Sequence, residues 1–293
     1  MTVHRGKVHD YLGMTLDYTT AGKVKLLMLD YVAKMLEAFR PHDDCDRTAT
    51  TPAAEHLFIV NPDCPKLPEE NAKTFHNFVA KSLFLTKRAR PDIATAVAFM
   101  TTRVKGPDDD DWKKLVRMMR YLRGTPNLSL ILEASKEREV LHWADGSFAV
   151  HPDMKGHNGV CTSLGKGMLR CVSNKQKLNA TSSTESELIA AHEGVPNAIW
   201  MNQFLEEQGF QRTGTCLFQD NKSAILLEEN GRKSSSKRTR HLNIRFFYIA
   251  DCIKRGELYV KYEPTQEMIA DYFTKPLQGQ LFYKLRKMVM NSD

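Results

Sequence analysis

Hydrophobic and polar positions change rhythm near residue 130 of the chain. Before that point, HDYLGMTLDY and KVKLLML alternate on either side of the turn residues TTAGK, which predicts a hairpin. DYVAKMLEAF then repeats its apolar residues at intervals of three and four, the period of an amphipathic helix. Residues 41–72 lose the pattern and gather proline, so they predict a long loop. Helices are predicted over Lys73–Lys87, Pro91–Val104 and Asp108–Arg123. Pro91 suits a first turn, where its missing N–H costs nothing, and the acid run Asp108–Asp111 suits the positive end of a helix dipole.

After residue 130, strands alternate with helices. Val140–Asp145 reads as a strand that turns Leu141, Trp143 and Asp145 to one side, and GVCTSL with MLRCVS as a hairpin around Gly165, Lys166 and Gly167. In TSSTESELIAAHEG, Ser182 with Glu185 and Thr184 with Glu187 both have capping-box spacing, so a helix begins there. Its apolar face, Leu188, Ala191, Val195 and Ile199, runs on to Phe204, and Pro196 should kink or split it. Then follow a strand at Cys216–Asp220, the helix SAILLEEN, and a helix with Leu242, Phe246, Ile249 and Ile253 on one face. The strand ELYVKYE and a last helix from about Gln266 complete the order. Such an order predicts an α/β layer plan, with residues 1–129 and 130–293 as separate domains.

Composition narrows the function classes. The 293 residues are 42% hydrophobic and 26% charged, enough for sizeable cores. No apolar run approaches the ~18 residues of a membrane span, and the N-terminus turns polar at once, so an intracellular chain without a membrane partner is expected. Six scattered cysteines with no Cys-x-x-Cys pair favour reduced thiols over zinc or disulfide frameworks. The net charge of +7 points to a polyanionic partner.

Four acids fall where an α/β sheet builds its ligand sites: Asp145 on the first strand, Glu187 in the first turns of the next helix, Asp220 at the end of a later strand, and Asp271 near the start of the last helix. Carboxylates packed together repel one another unless divalent cations hold them. A pair of Mg²⁺ ions would account for the cluster.

From about Glu139 to Leu277 the chain resembles the ribonuclease H domain of copia-type LTR retrotransposon Pol polyproteins, through WADGS, SSTESELIAA, LFQDNKSAI, RTRHLNIRFFYI and PTQEMIADYFTKPL. Upstream, HDYLGM resembles the primer-grip hairpin of the reverse transcriptase, and ARPDIATAVAFMTTRVKGP with WKKLVRMMRYLRGT resembles its thumb and connection helices. The resemblance implies a ribonuclease H-like mixed sheet flanked by helices, preceded by a smaller hairpin-plus-helices region. No Tyr-x-Asp-Asp motif occurs, so the polymerase palm is expected upstream of Met1 as a partner and not within this chain.

Carried onto these positions, the resemblance makes Asp145 the acid that bridges two Mg²⁺ ions, with Mn²⁺ as a substitute. Glu187 becomes the helix acid, Asp220 the strand-end acid, and Asp271 the acid nearest the ion that activates water. The implied reaction is endonucleolytic cleavage of the RNA strand of an RNA/DNA hybrid during reverse transcription, with no organic cofactor. Gly146, Ser183 and Thr184 are implied to approach the RNA in the minor groove, where the 2′-hydroxyl separates RNA from DNA. Arg232, Lys233, Lys237, Arg238 and Arg240 would hold phosphates of the hybrid. Related enzymes often carry a His in the loop before the last acid; YEPTQEMIAD has none, which leaves His241 as a candidate for that duty, with capping of its own helix as the other reading. The implied location is a cytoplasmic particle or the nucleus. The alternative is a remnant of a degenerate retroelement that binds nucleic acid without cutting it.

Overall fold

The first chain reversal comes earlier than the alternation predicts. In the computed structural model, which describes residues 5–43, 45–230 and 243–292, β1 (Val8–Tyr11) and β2 (Met14–Asp17) pair antiparallel with Tyr11 opposite Met14. Leu12 and Gly13 make the turn, both at positive φ (51° and 77°), the geometry of a tight hairpin. β3 (Lys23–Leu27) pairs with β2, so HDYLGMTLDY is itself a hairpin and TTAGK joins a third strand.

Two compact units emerge, residues 1–133 with 276–293, and residues 134–275. In the first, β4 (Leu130–Ala134) pairs with β3, an antiparallel partner more than a hundred positions away that local pattern did not reveal. Helices α1 (Leu29–Phe39), α2 (Glu69–Thr86), α3 (Ala94–Thr101) and α4 (Asp109–Gly124) supply the core through Phe39, Phe75, Phe99, Met118 and Leu122. Pro91 opens a 3₁₀ turn, Pro91–Ile93, ahead of α3. The acid run opens α4 as expected: Asp108 caps it, accepting from the Asp111 N–H at 3.0 Å, while Asp111 accepts from the Asp108 N–H.

Arg90 and Asp92, both fully buried, form a two-pronged ion pair at 2.8 Å. Tyr121 donates to the same carboxylate, and Arg90 also donates to Thr125. At least four of the five N–H donors of this guanidinium are used, which is what makes a buried charge tolerable.

The second unit is built on β5 (Val140–Ser147), β6 (His157–Ser163), the two-residue β7 (Gly165–Lys166) and β8 (Arg170–Lys175), followed by α5 (Ser183–Glu207), β9 (Thr215–Gln219), α6 (Lys222–Asn230), α7 (Asn243–Lys254), β10 (Leu258–Tyr262) and the short α8 (Asp271–Thr274). The sheet order is β10-β9-β5-β6-β8. β5, β6 and β8 are antiparallel neighbours, while β9 and β10 run parallel to β5. Three meandering strands extended by two crossover strands form the mixed sheet of the ribonuclease H-like fold.

Pro196 does not split α5, which stays helical for 25 residues. The helix is anchored by its apolar face: Ala190, Ala191, Val195 and Ile199 pack with Ala144, Val160 and Leu217 of the sheet and with Ile249, Cys252 and Leu258. Each such Val, Leu or Ile contributes about 1.5–3 kcal/mol on burial, enough to outweigh one helical hydrogen bond lost at proline.

Instead of one last helix from Gln266, Pro276 separates α8 from α9 (Gly279–Met290), and α9 belongs with the first unit. There Phe282 meets Tyr121 edge-on at 6.0 Å. Residues 276–293 thus return to the first unit, which a single division near residue 130 does not express.

Candidate metal centre

Two tripeptides in neighbouring strands begin the site. β5 and β9 pair in parallel with Trp143 opposite Phe218, and the two rings stack at 4.7 Å. Side chains two positions apart on a strand share a face. Asp145 and Asp220, each two residues beyond its aromatic partner, therefore lie side by side past the stacked rings. Trp-Ala-Asp and Phe-Gln-Asp are one local arrangement made twice.

Glu187 comes from the second turn of α5. Ser182 caps that helix, accepting from the Glu185 N–H at 3.2 Å. Glu185 itself is buried and accepts from the Thr181 N–H and hydroxyl, so it fixes the turn before the helix and does not face solvent. The helix can approach β5 because Gly146 has no side chain: a Cβ there would lie 2.2 Å from the Ser186 carbonyl oxygen.

Gln176 locks this approach. Its amide donates to the Ser186 carbonyl and hydroxyl, both at 3.0 Å, and to Asn158 at 2.7 Å, while the Ser186 hydroxyl donates to the Ser147 carbonyl at 3.2 Å. Asn158 in turn donates to Glu193, one and a half turns beyond Glu187.

Asp145, Glu187 and Asp220 bring carboxylate oxygens within 4.8 Å of one another, so one ion could touch all three. Asp271, at the start of α8, is not in that group, yet it reaches Asp145 through a shared neighbour. The Lys275 ammonium lies 2.6 Å from Asp271 and 3.9 Å from Asp145, and Thr274 donates from its hydroxyl to the Asp145 carboxylate. Gly159, opposite Asp145 in β6, lets α8 close on the sheet, since a Cβ there would meet the Ala270 carbonyl at 2.5 Å. Asp220 is also held, accepting from Thr265 at 2.9 Å.

Burial dominates the electrostatics. It pushes the Glu187 carboxyl far above the ordinary range, and Asp145, then Asp220, push it further, while Lys275 opposes them. Asp271 is raised by burial and by Asp145, again against Lys275. One Glu187 oxygen is sealed from solvent without a hydrogen-bond partner. Such a donor set, all hard oxygens around an unsatisfied acceptor, fits Mg²⁺ or Mn²⁺, whose charge would remove the repulsion.

The remaining nucleic-acid candidates divide. Ser183 is exposed at the start of α5, and Thr184 is half-buried within reach of the Asn221 amide at 3.5 Å. Gly146 is buried, and the missing side chain serves the approach of α5. Arg232, Lys233, Lys237, Arg238, Arg240 and His241 lie outside the described residues. Thr274, Lys275, Asn158 and Gln176 were not singled out from sequence. The signal available for Lys275 was its i, i+4 spacing from Asp271, and for Gln176 there was none.

The site's electrostatics set a pH test. Raised carboxyls mean that the folded, metal-free chain binds more protons than the unfolded one, so stability falls as pH rises from the ordinary carboxylate range, about 4, through neutral. In EDTA, Glu187→Gln should therefore melt progressively higher than the parent chain between pH 5 and pH 9, and saturating Mg²⁺ should narrow the gap. Melting curves at three pH values decide it; a gap that does not change with pH counts against the cluster.

An α/β unit of ribonuclease H-like topology, with carboxylates gathered beside the ends of two parallel strands, defines the class of protein. The relatives that match most of this chain are retrotransposon Pol polyproteins, as its motifs led us to expect. It is 29% identical over 290 residues to the retrovirus-related Pol polyprotein from transposon TNT 1-94 of Nicotiana tabacum, covering 97% of this chain and 22% of that protein. It is 28% identical over 245 residues to the corresponding polyprotein from transposon RE2 of Arabidopsis thaliana, covering 83% of this chain and 16% of that protein. The match is consistent with a stretch of a copia-type Pol polyprotein, and the chain spans about a fifth of the length of these curated relatives. No protein-family model matches it. Among solved structures it is similar to LC11-RNase H1 isolated from compost, at 16% identity and a TM-score of 0.33 over 44% of this chain and 86% of that one.

Proposed function

We propose that residues 134–275 form a metal-dependent endonuclease that cleaves the RNA strand of RNA/DNA hybrids, within the Pol machinery of a copia-type retrotransposon. The observation that carries this reading is the convergence of Asp145, Glu187 and Asp220 within 4.8 Å, with Asp271 joined to Asp145 through Lys275. Asp145, Glu187 and Asp220 would hold the divalent ions, with Asp271 as the fourth acid. When bound, the ions would activate water and neutralise charge on the scissile phosphate.

The chain's own residues prepare that chemistry. Thr274 orients the Asp145 carboxylate by donating to it, and Thr265 does the same for Asp220. Gln176 and Ser186 hold the first turns of α5 so that Glu187 keeps its height against the sheet. Lys275 supplies a cation beside Asp145 and Asp271 that steadies the cluster. Ser183 and Thr184, beside the cluster at the start of α5, are the proposed contacts to the minor groove, and Gly146 offers only backbone.

No described helix is long and apolar enough to cross a membrane. Partnership with an upstream polymerase palm, and residence in a cytoplasmic particle or the nucleus, belong to the same proposal and rest on the Pol relatives.

The deciding assay incubates the full chain with a hybrid labelled on its RNA strand, in Mg²⁺, in Mn²⁺ and in EDTA, beside double-stranded DNA and RNA. RNA-strand cuts that require a divalent ion and the hybrid are expected. Tight binding of the hybrid without cleavage in either metal would instead support the non-catalytic alternative.

A further inference from the structure

Helix α4 of the first unit carries Lys113, Arg117 and Arg120 at spacings of four and three, which puts the three cations on one helix face. With Val116 and the facing loop Thr48, Ala49 and Thr50 they line a groove of about 470 Å³. Among the described residues, no carboxylate lines it.

The groove is built before any ligand arrives. The Ala49 N–H donates to the Arg120 carbonyl at 3.3 Å, pinning the loop to the helix. Gly124 lets Thr48 come close, since a Cβ there would sit 3.1 Å from the Thr48 Cβ. Arg117 is held from behind: its Nη2 donates at 2.8 Å to the hydroxyl of buried Thr51, which is bonded in turn to the Ala53 carbonyl.

The charges in the groove are not equivalent. Arg120 is neutralised by Asp43, donating to it from Nε and Nη2 at 3.1 and 2.8 Å. Among the described residues Arg117 has no ion-pair partner, and its Nε is sealed from solvent with no acceptor. Lys113 is exposed and has no ion-pair partner among the described residues. Two uncompensated cations, threonine hydroxyls and small walls without an aromatic platform suit a phosphate group.

We propose that this groove binds a phosphate of a nucleic-acid backbone, with Lys113 and Arg117 as its donors. A free phosphate is ordinarily cradled by backbone N–H groups at a helix N-terminus. Here the donors are long side chains from the middle of a helix, the kind that position a protein along a phosphate backbone without reading bases. The chain's charge of +7 favours the same polyanion. This site lies in the first unit and does not depend on the nuclease reading.

The test uses the full chain in EDTA, which withholds the divalent ions that the proposed cleavage needs, and follows binding of a fluorescent RNA/DNA hybrid by anisotropy at several salt concentrations. Lys113→Gln with Arg117→Met should weaken binding at least about tenfold near 0.1 M salt and flatten the log–log salt slope by one to two, since each phosphate contact contributes about 0.9. Lys113→Gln alone, at an exposed and unpaired position, should keep the parent melting temperature and still bind about three- to fivefold more weakly. In the parent chain, the oligonucleotide should protect Lys113 from acylation by an amine-reactive reagent, read by mass spectrometry. Unchanged affinity and slope in both variants would overturn the proposal. So would protection of Lys113 by inorganic phosphate equal to that given by the oligonucleotide at the same phosphate concentration, which would mark a free-phosphate site.

Discussion

Asp145→Asn should reduce hybrid cleavage by on the order of a thousandfold, because loss of a mere outer partner of a metal ligand already costs 10–100-fold and Asp145 is proposed as a ligand itself. Asparagine keeps the shape and still offers an oxygen to the Thr274 hydroxyl. What disappears is the charge. Asp145 raises the proton affinity of both Glu187 and Asp271, so its removal relieves repulsion in the metal-free chain. The melting temperature in EDTA should stay level or rise, and the gain produced by Mg²⁺ in the parent should shrink or vanish. Hybrid binding in EDTA should persist. Near-normal cleavage at saturating Mg²⁺ would refute the metal assignment, whereas a large loss of stability in EDTA would make Asp145 a structural residue.

Much of this site is legible in the sequence alone, because it rests on local arrangements that leave a local trace. Ser182 and its spacing to Glu185 announced the start of α5, and the strand patterns ending in Asp145 and Asp220 announced two acids on sheet positions. Their side-by-side placement needed the β5–β9 register, which no single strand contains.

The misses share that cause. Leu12 hides a turn because leucine seldom adopts positive φ, so the alternation of HDYLGMTLDY looked unbroken. β4 exists because β3 offers it an edge, a choice made by tertiary pairing and not by propensity. Gln176 reads as a surface residue between strand and helix. Only the fold buries it, at 1% exposure, where its amide joins α5 to the sheet. Lys275 falls inside the single last helix expected from about Gln266. Pro276 stops the chain there and leaves its ammonium among the acids.

Gly146→Ala tests how far the site depends on that packing. The added methyl would lie 2.2 Å from the Ser186 oxygen, 2.4 Å from its carbonyl carbon and 2.9 Å from the Glu187 nitrogen, all backbone atoms that cannot rotate away. Nor can α5 slide freely, since Gln176 grips Ser186 from one side and Ser186 grips the Ser147 carbonyl. Overpacking in a well-filled core costs about 1–3 kcal/mol where side chains can adjust, and a backbone clash should sit at or above the top of that range. A loss of about 3 kcal/mol corresponds to a melting temperature lower by roughly 6–12 °C for a unit of this size. Molecules that remain folded must part β5 from α5 and so Asp145 from Glu187. A displacement of about 1 Å can cost a hundredfold in rate, so cleavage should fall at least that far even below the melting transition. Gly106→Ala, whose methyl would enter open space, is the matched control and should change neither quantity. If Gly146 served only to let RNA approach, its alanine variant would keep the parent stability in EDTA and lose only hybrid affinity; that result would reject the strand–helix account of this glycine.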